Sequence, residues 1–316
     1  MRTRTIRVAA AMSLLMAMAA GGCSRRRDEV RLAYPPIMGS LPVFVAEDQQ
    51  LFEKRNLKVQ TVSFSSSNDM VSALVAGQVD LLPAVSLVPL IHLEIQHPGR
   101  FRVFSHSRMR RDNSTYRLVV KAASPVGGLP DLQGRKIGVF PGTSATRLLG
   151  AFLKRKGVNP DKVTFIQLPP SAQVASLESG AIDALFAYDP LILMTEPGHY
   201  RALSDSVYAE LSEPCPLGAS VISRAFERSH PRVSARATAA IQEAIAYMAA
   251  HPQEVRPLLP RFTKMTPETA SRVNVADVTL TNDVDAAALQ RFIDLLYQIG
   301  EIPERIDAHR LIDPTR

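Results

Sequence analysis

Cysteine is scarce in this sequence. Its 316 residues include two, Cys23 and Cys215. Cys23 is predicted to carry a lipid on its thiol at the N-terminus of the mature chain. Cys215 therefore has no partner for an internal disulfide. The fold must therefore be stabilised by its hydrophobic core. About 290 residues can form such a core as one large domain or as two.

Sequence motifs for cofactors and metals are missing as well. The seven histidines show no H-E-x-x-H or comparable metal-binding spacing, and there is neither a Walker loop nor a G-x-G-x-x-G motif. No helix rich in Lys and Arg is interleaved with aromatic residues, which argues against a nucleic-acid partner. The sequence therefore predicts no metal, no cofactor and no nucleic-acid binding.

A nucleophile elbow is the nearest approach to an enzyme motif. The sequence Gly142-Thr143-Ser144 follows a predicted strand and opens a predicted helix, but it lacks the second glycine of G-x-S-x-G. No aspartate and histidine follow it in the usual order with a clear motif context. We therefore expect a protein that is not an enzyme, with catalysis on this fold as a remote alternative.

The N-terminal sequence is typical of an export signal. Three arginines precede an apolar stretch, residues 8–20, which at 13 residues is too short to span a bilayer. It ends in Ala20-Gly21-Gly22-Cys23, which resembles a bacterial lipoprotein box, although leucine is usual at the position of Ala20. Residues 1–22 are predicted to be a signal peptide, and residues 23–29 a tether lipidated at Cys23.

This prediction places the mature protein outside the cytoplasm, anchored to a membrane by lipid and facing the periplasm or the cell exterior. No later apolar run approaches 18 residues, so no segment is expected to cross the membrane. Cleavage before Cys23 lowers the formal net charge from +7 to +4. Ordinary secretion with Cys23 near the cleavage site, and an uncleaved anchor helix, are the alternatives.

An internal repeat is the most informative feature of the chain. Residues 71–84 and 174–187 are identical at six of fourteen positions. Upstream, Phe-x-Lys-Arg occurs at 52–55 and again at 152–155. Further upstream, a proline, a glycine and a hydroxyl residue follow an apolar run in both copies. One unit of about 60 residues therefore occurs twice in the same order.

Each unit alternates short apolar runs with helical segments. The runs at 30–33 and 136–140 are predicted strands, and Ser40 and Thr143 are predicted N-caps of the helices that follow, which run to about 55 and 156. Second strands are expected at 58–64 and 162–167. Second helices should begin at Ser67 and Ser171 and end at Gly77 and Gly180, and third strands should follow at 79–82 and 182–187.

The order β-α-β-α-β, found twice, predicts an α/β fold of two lobes with mainly parallel sheets. The last third of the chain differs, because apolar stripes such as Leu289, Phe292 and Leu296 indicate helices. Ligands of open α/β sheets bind beyond the carboxyl ends of the strands, where helix N-termini offer free N–H groups. Both units place hydroxyl residues there, so we expect one cleft between the lobes that holds an anionic or polar molecule by neutral donors.

Several further segments resemble the substrate-binding proteins for nitrate, aliphatic sulfonates, taurine and thiamine-pyrimidine precursors. They are Val45-Ala46-Glu47, Leu51-Phe52, residues 57–59 and 73–80, residues 118–121 and 131–139, Gly142-Thr143-Ser144, residues 177–184 and Asp189-Pro190. Together they span most of residues 30–225. The sequence departs from the family pattern at Gln49-Gln50, where a glycine is common, at Asp189, where glutamate is common, and in having no tryptophan.

The resemblance implies a two-lobe periplasmic-binding fold with two hinge strands. Lobe one would comprise residues 30–116 and 225–316, with the helical C-terminal segment packing back on it, and lobe two residues 117–224. It also implies an ATP-driven (ABC) permease as partner, a small-molecule ligand and a monomer. The implied ligand-binding residues are Pro36, Ser40, Ser65, Ser66, Ser67, Ser86, Gly142, Thr143, Ser144, Tyr188 and Asp189.

Two questions stay open at the level of sequence. Asp189 can accept a hydrogen bond from a ligand amine or can initiate the turn before Pro190, whereas Asp80 and Asp183 are interpreted as turn or cap residues. The same binding chemistry would also serve a lipoprotein that signals to a membrane receptor and feeds no transporter. The sequence predicts delivery of a sulfonate-, taurine- or nitrate-like solute, or of a pyrimidine precursor, with sensing as the alternative.

Overall fold

A computed structural model describes residues 28–141, 143–193, 198–263, 265–273, 275 and 280–312, without the side chains of residues 143, 189 and 190. The predicted signal peptide and Cys23, the predicted site of lipidation, lie outside these residues, as does Gly142. Within the described ranges, no helix has both the length and the apolar character needed to cross a membrane.

The first repeat unit forms alternating strands and helices. Strand β1 spans Asp28–Tyr34, helix α1 Leu41–Asp48, strand β2 Leu57–Ser63, helix α2 Ser67–Val75 and strand β3 Leu81–Ser86. Gly77 follows α2 with a φ of 68°, the left-handed conformation that glycine adopts without strain. The predicted element order and the predicted helix end are both confirmed.

The second unit repeats this order. Strand β6 spans Lys136–Val139, helix α4 Thr143–Arg155, strand β7 Thr164–Gln167, helix α5 Pro170–Glu178 and strand β8 Ala184–Tyr188. Within each unit the first strand pairs in parallel with both the second and the third, so that β1 lies between β2 and β3, and β6 between β7 and β8. The sequence repeat is thus a structural repeat.

The remaining elements connect the two units and complete the chain. Between the units lie α3 (Leu87–Gln96), β4 (Phe101–Ser107) and β5 (Tyr116–Lys121); after them come α6 (Asp189–Leu193), β9 (Tyr200–Ser204), α7 (Val207–Leu211), β10 (Gly218–Ser223), α8 (Arg224–Ser229), α9 (Pro231–Ala250), α10 (Pro252–Val255), α11 (Leu259–Phe262), α12 (Pro267–Arg272), β11 (Leu280–Thr281), α13 (Ala286–Gln298) and α14 (His309–Ile312).

Two mixed sheets result. The first has the order β11-β4-β10-β3-β1-β2, and the second has the order β7-β6-β8-β5-β9. Strands of the repeat units pair in parallel with one another, as expected for β-α-β crossovers. Strands β5, β9, β10 and β11 pair antiparallel with their neighbours. The predicted parallel pairing therefore describes the repeat units, and the other strands make both sheets mixed.

The chain crosses between the two sheets at two places. It passes from β4 to β5 and returns from β9 to β10, and the two crossing segments pair where Met109 and Cys215 exchange backbone hydrogen bonds of 3.1 and 2.7 Å. Strand β10 falls inside the range predicted for lobe two, yet it pairs with β3 and β4 in the first sheet. Otherwise the lobe boundaries stay a prediction.

The C-terminal third is helical, as predicted. Helix α9 buries Ala237, Ile241, Ile245 and Met248 in the same hydrophobic cluster as the apolar face of α1. Helix α13 buries Leu289, Phe292 and Leu296 in the cluster that also holds the inner face of α4. The segment therefore packs on the first sheet through α9 and reaches the second sheet at the end of α13.

Several predicted caps are wrong in detail. The Ser40 hydroxyl does not cap α1 but donates a 2.5 Å hydrogen bond to the Pro35 carbonyl. Helix α2 is capped by Ser66, one residue before the predicted Ser67, and Ser171 lies inside α5 rather than before it. Helix α1 ends at Asp48, earlier than predicted, since Gln50 takes a left-handed φ of 53°.

Candidate functional site

A large cleft lies between the two sheets at the ends of their strands. It has a volume of about 1330 Å³. Both repeat units, helix α3, the crossing segments, Leu280 of β11 and Glu301 after α13 contribute to its lining. Ligand pockets are commonly about 300–1,000 Å³, so this cleft can hold a molecule larger than a simple inorganic anion. Its position matches the one predicted from the repeat.

Serines form the wall of the cleft in the first sheet. Ser65, Ser66 and Ser67 lie where β2 gives way to α2, and Ser86 ends β3. Ser66 caps the helix, because its Oγ accepts a hydrogen bond from the Asp69 amide at 3.2 Å. The Ser67 Oγ accepts one from the Ser86 amide at 3.1 Å, which joins α2 to β3 and leaves the Ser67 hydroxyl able to donate.

The opposite wall is formed at the start of α4. Phe140 and Pro141 precede the helix, and Ser144 lies in its first turn. The Ser144 hydroxyl donates a 2.5 Å hydrogen bond to Oε1 of Glu301, which follows α13 and also lines the cleft. The Ser144 hydroxyl, which the sequence predicts to bind a ligand, therefore already donates to the carboxylate of Glu301.

Aromatic and apolar side chains form the floor. The ring of Tyr116 lies 4.9 Å from that of Tyr208 and 5.1 Å from that of Tyr188, measured between centroids. Burial raises the pKa of Tyr116 to about 12 and also raises the pKa of Tyr208, so both phenols are neutral at ordinary pH. Aliphatic neighbours widen this surface; they are Val71, Val75, Val88, Leu93, Met109, Leu148 and Leu217.

The cleft carries little formal charge. Among the described lining residues there is no lysine or arginine, and Glu301 is the one carboxylate. The four arginines whose place the sequence left open, at 108, 110, 111 and 117, are not part of the lining. A bound anion would therefore be held by hydroxyl and backbone N–H groups rather than by a cationic side chain.

The structure brings together six of the predicted ligand residues. These are Ser65, Ser66, Ser67, Ser86, Ser144 and Tyr188. Pro36 and Ser40 do not line the cleft, and Ser40, directly before α1, is fully buried. Gly142 and the side chains of Thr143 and Asp189 lie outside the described residues, so their assignment stays a prediction.

Sequence reasoning missed Glu301, His92 and two tyrosines, the half-buried Tyr116 and the buried Tyr208. Each of them reaches the cleft through tertiary packing, from an element that carries no part of the repeated pattern. The only local sign of Glu301 is Gly300, which closes α13 with a φ of 70° and turns the chain towards α4. No group of three metal-ligating side chains occurs in the part of the chain that the structure describes.

Known proteins share this architecture. The periplasmic aliphatic sulphonate binding protein SsuA from Escherichia coli superposes with a TM-score of 0.75 at 22% identity, covering 90% of this chain and 97% of that one. The desulfurization enzyme DSZB superposes with a TM-score of 0.69 at 17% identity, covering 91% and 96%. Both likenesses concern the fold, and the first confirms the predicted periplasmic-binding-protein architecture.

The sequence comparisons agree with the fold. A taurine-binding periplasmic protein of Escherichia coli (strain K12) is 29% identical over 240 residues, which cover 75% of this chain and 72% of that protein. Residues 38–255 match the family described as NMT1/THI5 like, a range that begins after β1 and takes in the rest of both repeat units and most of the residues that line the cleft. It extends over more than half of the sequence, and this chain belongs to the NMT1/THI5-like family.

Proposed function

We propose that this protein binds a small organic sulfonate outside the cytoplasm and delivers it to an ABC importer. The observation that carries the proposal is the cleft, where hydroxyl donors at the ends of the strands face an apolar, aromatic floor. The names of the relatives, an aliphatic sulphonate binding protein and a taurine-binding periplasmic protein, support the same ligand class. The permease and its ATPase are the partners that such delivery requires.

Neutral donors suit the anionic head of this ligand. The N-terminus of α2 carries free backbone N–H groups and a partial positive charge, and Ser65 and Ser67 add hydroxyls beside it. Binding an anion in this way desolvates no cationic side chain. The donors can therefore hold the sulfonate and still release it to a permease.

The apolar floor suits the body of the ligand. Nitrate and bicarbonate have no carbon chain that could cover Tyr116, Tyr208 and the aliphatic residues beside them, whereas an alkyl or aryl sulfonate does. We therefore rank organosulfonates with several carbons above nitrate-like ions. The pyrimidine-precursor alternative depends on Asp189 as an acceptor for the ligand's amine.

A chain-length series tests the proposal. We expect the dissociation constants of linear alkane-1-sulfonates, measured by calorimetry from ethane- to octanesulfonate, to fall about fourfold per methylene, because each buried CH₂ contributes about 0.8 kcal/mol. Nitrate and octylammonium serve as ligand controls, one without the carbon chain and the other without the anionic head. Both should bind far more weakly than octane-1-sulfonate.

Matched serine variants separate the site from the rest of the surface. Ser67→Ala removes a cleft hydroxyl and should weaken octane-1-sulfonate binding about tenfold, the effect of one hydrogen bond to a charged group. Ser179→Ala removes an exposed hydroxyl at the end of α5, away from the cleft, and should leave the affinity unchanged. Affinity that ignores chain length, or equal effects of the two variants, would rule out this site.

Catalysis is not part of the proposal, although DSZB is an enzyme with the same fold. Cys215, the one cysteine among the described residues, is 1% exposed and is not among the residues that line the cleft. Burial raises the pKa of its thiol, which disfavours the nucleophilic thiolate. This thiol is therefore unsuited to act on a ligand.

For the mature protein we propose a lipid anchor at Cys23. The support is the sequence Ala20-Gly21-Gly22-Cys23 after a short apolar stretch, together with the periplasmic location in the names of the relatives. Thiol-linked acyl chains would hold the protein at the membrane without a spanning helix. A Cys23→Ala protein should lose metabolic labelling with palmitate and leave the membrane fraction; continued sedimentation with membranes would contradict the anchor.

A further inference from the structure

Glu301 is a buried carboxylate in the wall of the cleft. Its side chain is 3% exposed, and it follows the turn at Gly300 that ends α13. The chain there lies against the first turns of α4, because Nη1 of Arg147 donates a 2.8 Å hydrogen bond to the carbonyl of Gly300. The position of Glu301 is thus set by the packing of the C-terminal segment across the cleft.

The carboxylate takes the position of an anion at the N-terminus of α4. The Ser144 hydroxyl donates to Oε1 at 2.5 Å, Nε of Arg147 lies 3.3 Å from Oε2, and Nε2 of His92 lies 3.9 Å from Oε1. Carboxylates are stabilised at helix N-termini by the free N–H groups and the helix dipole. The helix start that the repeat predicts as a ligand site in lobe two is thereby occupied by the protein itself.

The two ends of the cleft consequently differ in charge. At the α2 end, the described lining residues offer hydroxyls and backbone N–H groups and include no carboxylate. The nearest one, that of Asp69, is exposed outside the lining and accepts a 2.7 Å hydrogen bond from the hydroxyl of the lining residue Ser66. At the α4 end, Glu301 presents its carboxylate to the cleft together with Ser144 and His92, whereas Arg147 is not among the lining residues. Arg147 offsets part of the charge of Glu301, but from outside the lining, so a ligand anion at the second end meets the negative side of this ion pair, whereas at the first end it meets hydrogen-bond donors.

We propose that Glu301 determines ligand specificity by admitting monoanions and excluding ligands with a second anionic group. A monoanionic sulfonate can place its head at α2 and its apolar body over the tyrosines. A molecule with anions at both ends must bring one of them beside a buried carboxylate, where the low local dielectric strengthens repulsion. This inference rests on the proposed function and adds the charge class of the ligand.

Two probes of equal length test the proposal. Octane-1-sulfonate and octane-1,8-disulfonate share the carbon chain and differ in the second anion. The natural protein should bind the disulfonate at least about tenfold more weakly, an energy difference of about 1.4 kcal/mol in calorimetric titrations. In Glu301→Gln, which keeps the shape and removes the charge, the two affinities should lie within about threefold.

Three further variants isolate the charge from the structure. Glu304→Gln removes an exposed carboxylate from the same segment and should preserve the discrimination. Ser144→Ala removes the hydrogen bond to Glu301 but leaves the charge of Glu301 in place. This variant should therefore also preserve the discrimination between the two sulfonates. Glu301→Met, a second neutral variant, replaces Glu301→Gln if thermal unfolding shows that the glutamine protein does not fold.

The outcomes are distinct. Loss of discrimination in the neutral variants of Glu301 alone supports the proposal. Equal discrimination by the natural protein and by a folded neutral variant overturns the proposal about Glu301. Tight binding of the disulfonate by the natural protein overturns it as well. Both outcomes leave the proposed function intact. Failure of octane-1-sulfonate to bind either protein overturns the proposed function and this inference with it.

Discussion

At the scale of single residues, Asp80 and Asp183 show how the repeat is built. Each carboxylate accepts a hydrogen bond from the backbone of the first strand in its own unit, from the Arg31 amide at 2.9 Å and the Lys136 amide at 2.8 Å. Asp80 also binds the Arg31 guanidinium through both oxygens, at 2.6 and 3.0 Å. Both aspartates therefore join the first and third strands, which agrees with the structural role that the sequence suggested.

The two aspartates should differ in their contribution to stability. The Asp80 side chain is 6% exposed and doubly bonded to its arginine, whereas Asp183 is 33% exposed and lies 3.5 Å from Arg135. We expect Asp80→Asn to lower the free energy of unfolding by about 2 kcal/mol and Asp183→Asn by less than about 1 kcal/mol. Urea unfolding of the matched pair measures both, and equal losses would refute the assigned difference.

Individual hydroxyls were the hardest residues to assign from sequence. Ser40 and Ser66 occupy equivalent positions before helices, yet Ser40 donates to a carbonyl while Ser66 accepts from an amide. A serine can do either, and the choice depends on the backbone conformation before the helix: Ser66 has the extended backbone of a cap and Ser40 does not. The composition and spacing of the residues do not predict that backbone conformation.

At the scale of elements, local patterns predicted the repeat units well. Apolar runs, glycines after helices and the recurring order of elements are properties of neighbouring residues, so β1 to β3 and β6 to β8 were located to within a few residues. The end of α1 was missed, because Gln50 takes a left-handed conformation that usually belongs to glycine. The glycine that is common in the family near this position indicates such a left-handed residue.

Strands outside the repeat were not predictable in the same way. The pairing of β10 between β3 and β4 joins residues more than one hundred positions apart, and it reverses the strand direction found in the repeat. The hydrophobicity of β10 shows that it is buried but not which sheet it joins. The lobe boundary predicted after this strand rests on the family resemblance, whereas the observed pairing places β10 itself in the first sheet.

At the scale of the whole molecule, the cleft combines three sources of side chains. The repeat supplies serines at strand ends and Tyr188. Helix α3 and the crossing segments supply His92, Tyr116 and Tyr208, and the C-terminal segment supplies Glu301. The first source was predicted because it repeats in the sequence. The other two depend on how distant segments pack, so the sequence predicted where an anion would bind but not the carboxylate that occupies the second helix start.

A crystal structure with octane-1-sulfonate bound tests the central claim most directly. The account predicts the sulfonate within hydrogen-bonding distance of Ser65 or Ser67 at the start of α2, and the alkyl chain against Tyr116 and Tyr208. It further predicts that Glu301 keeps its hydrogen bond to Ser144. A cleft without ligand at saturating concentration, or a sulfonate at the start of α4 with Glu301 displaced, would contradict the account.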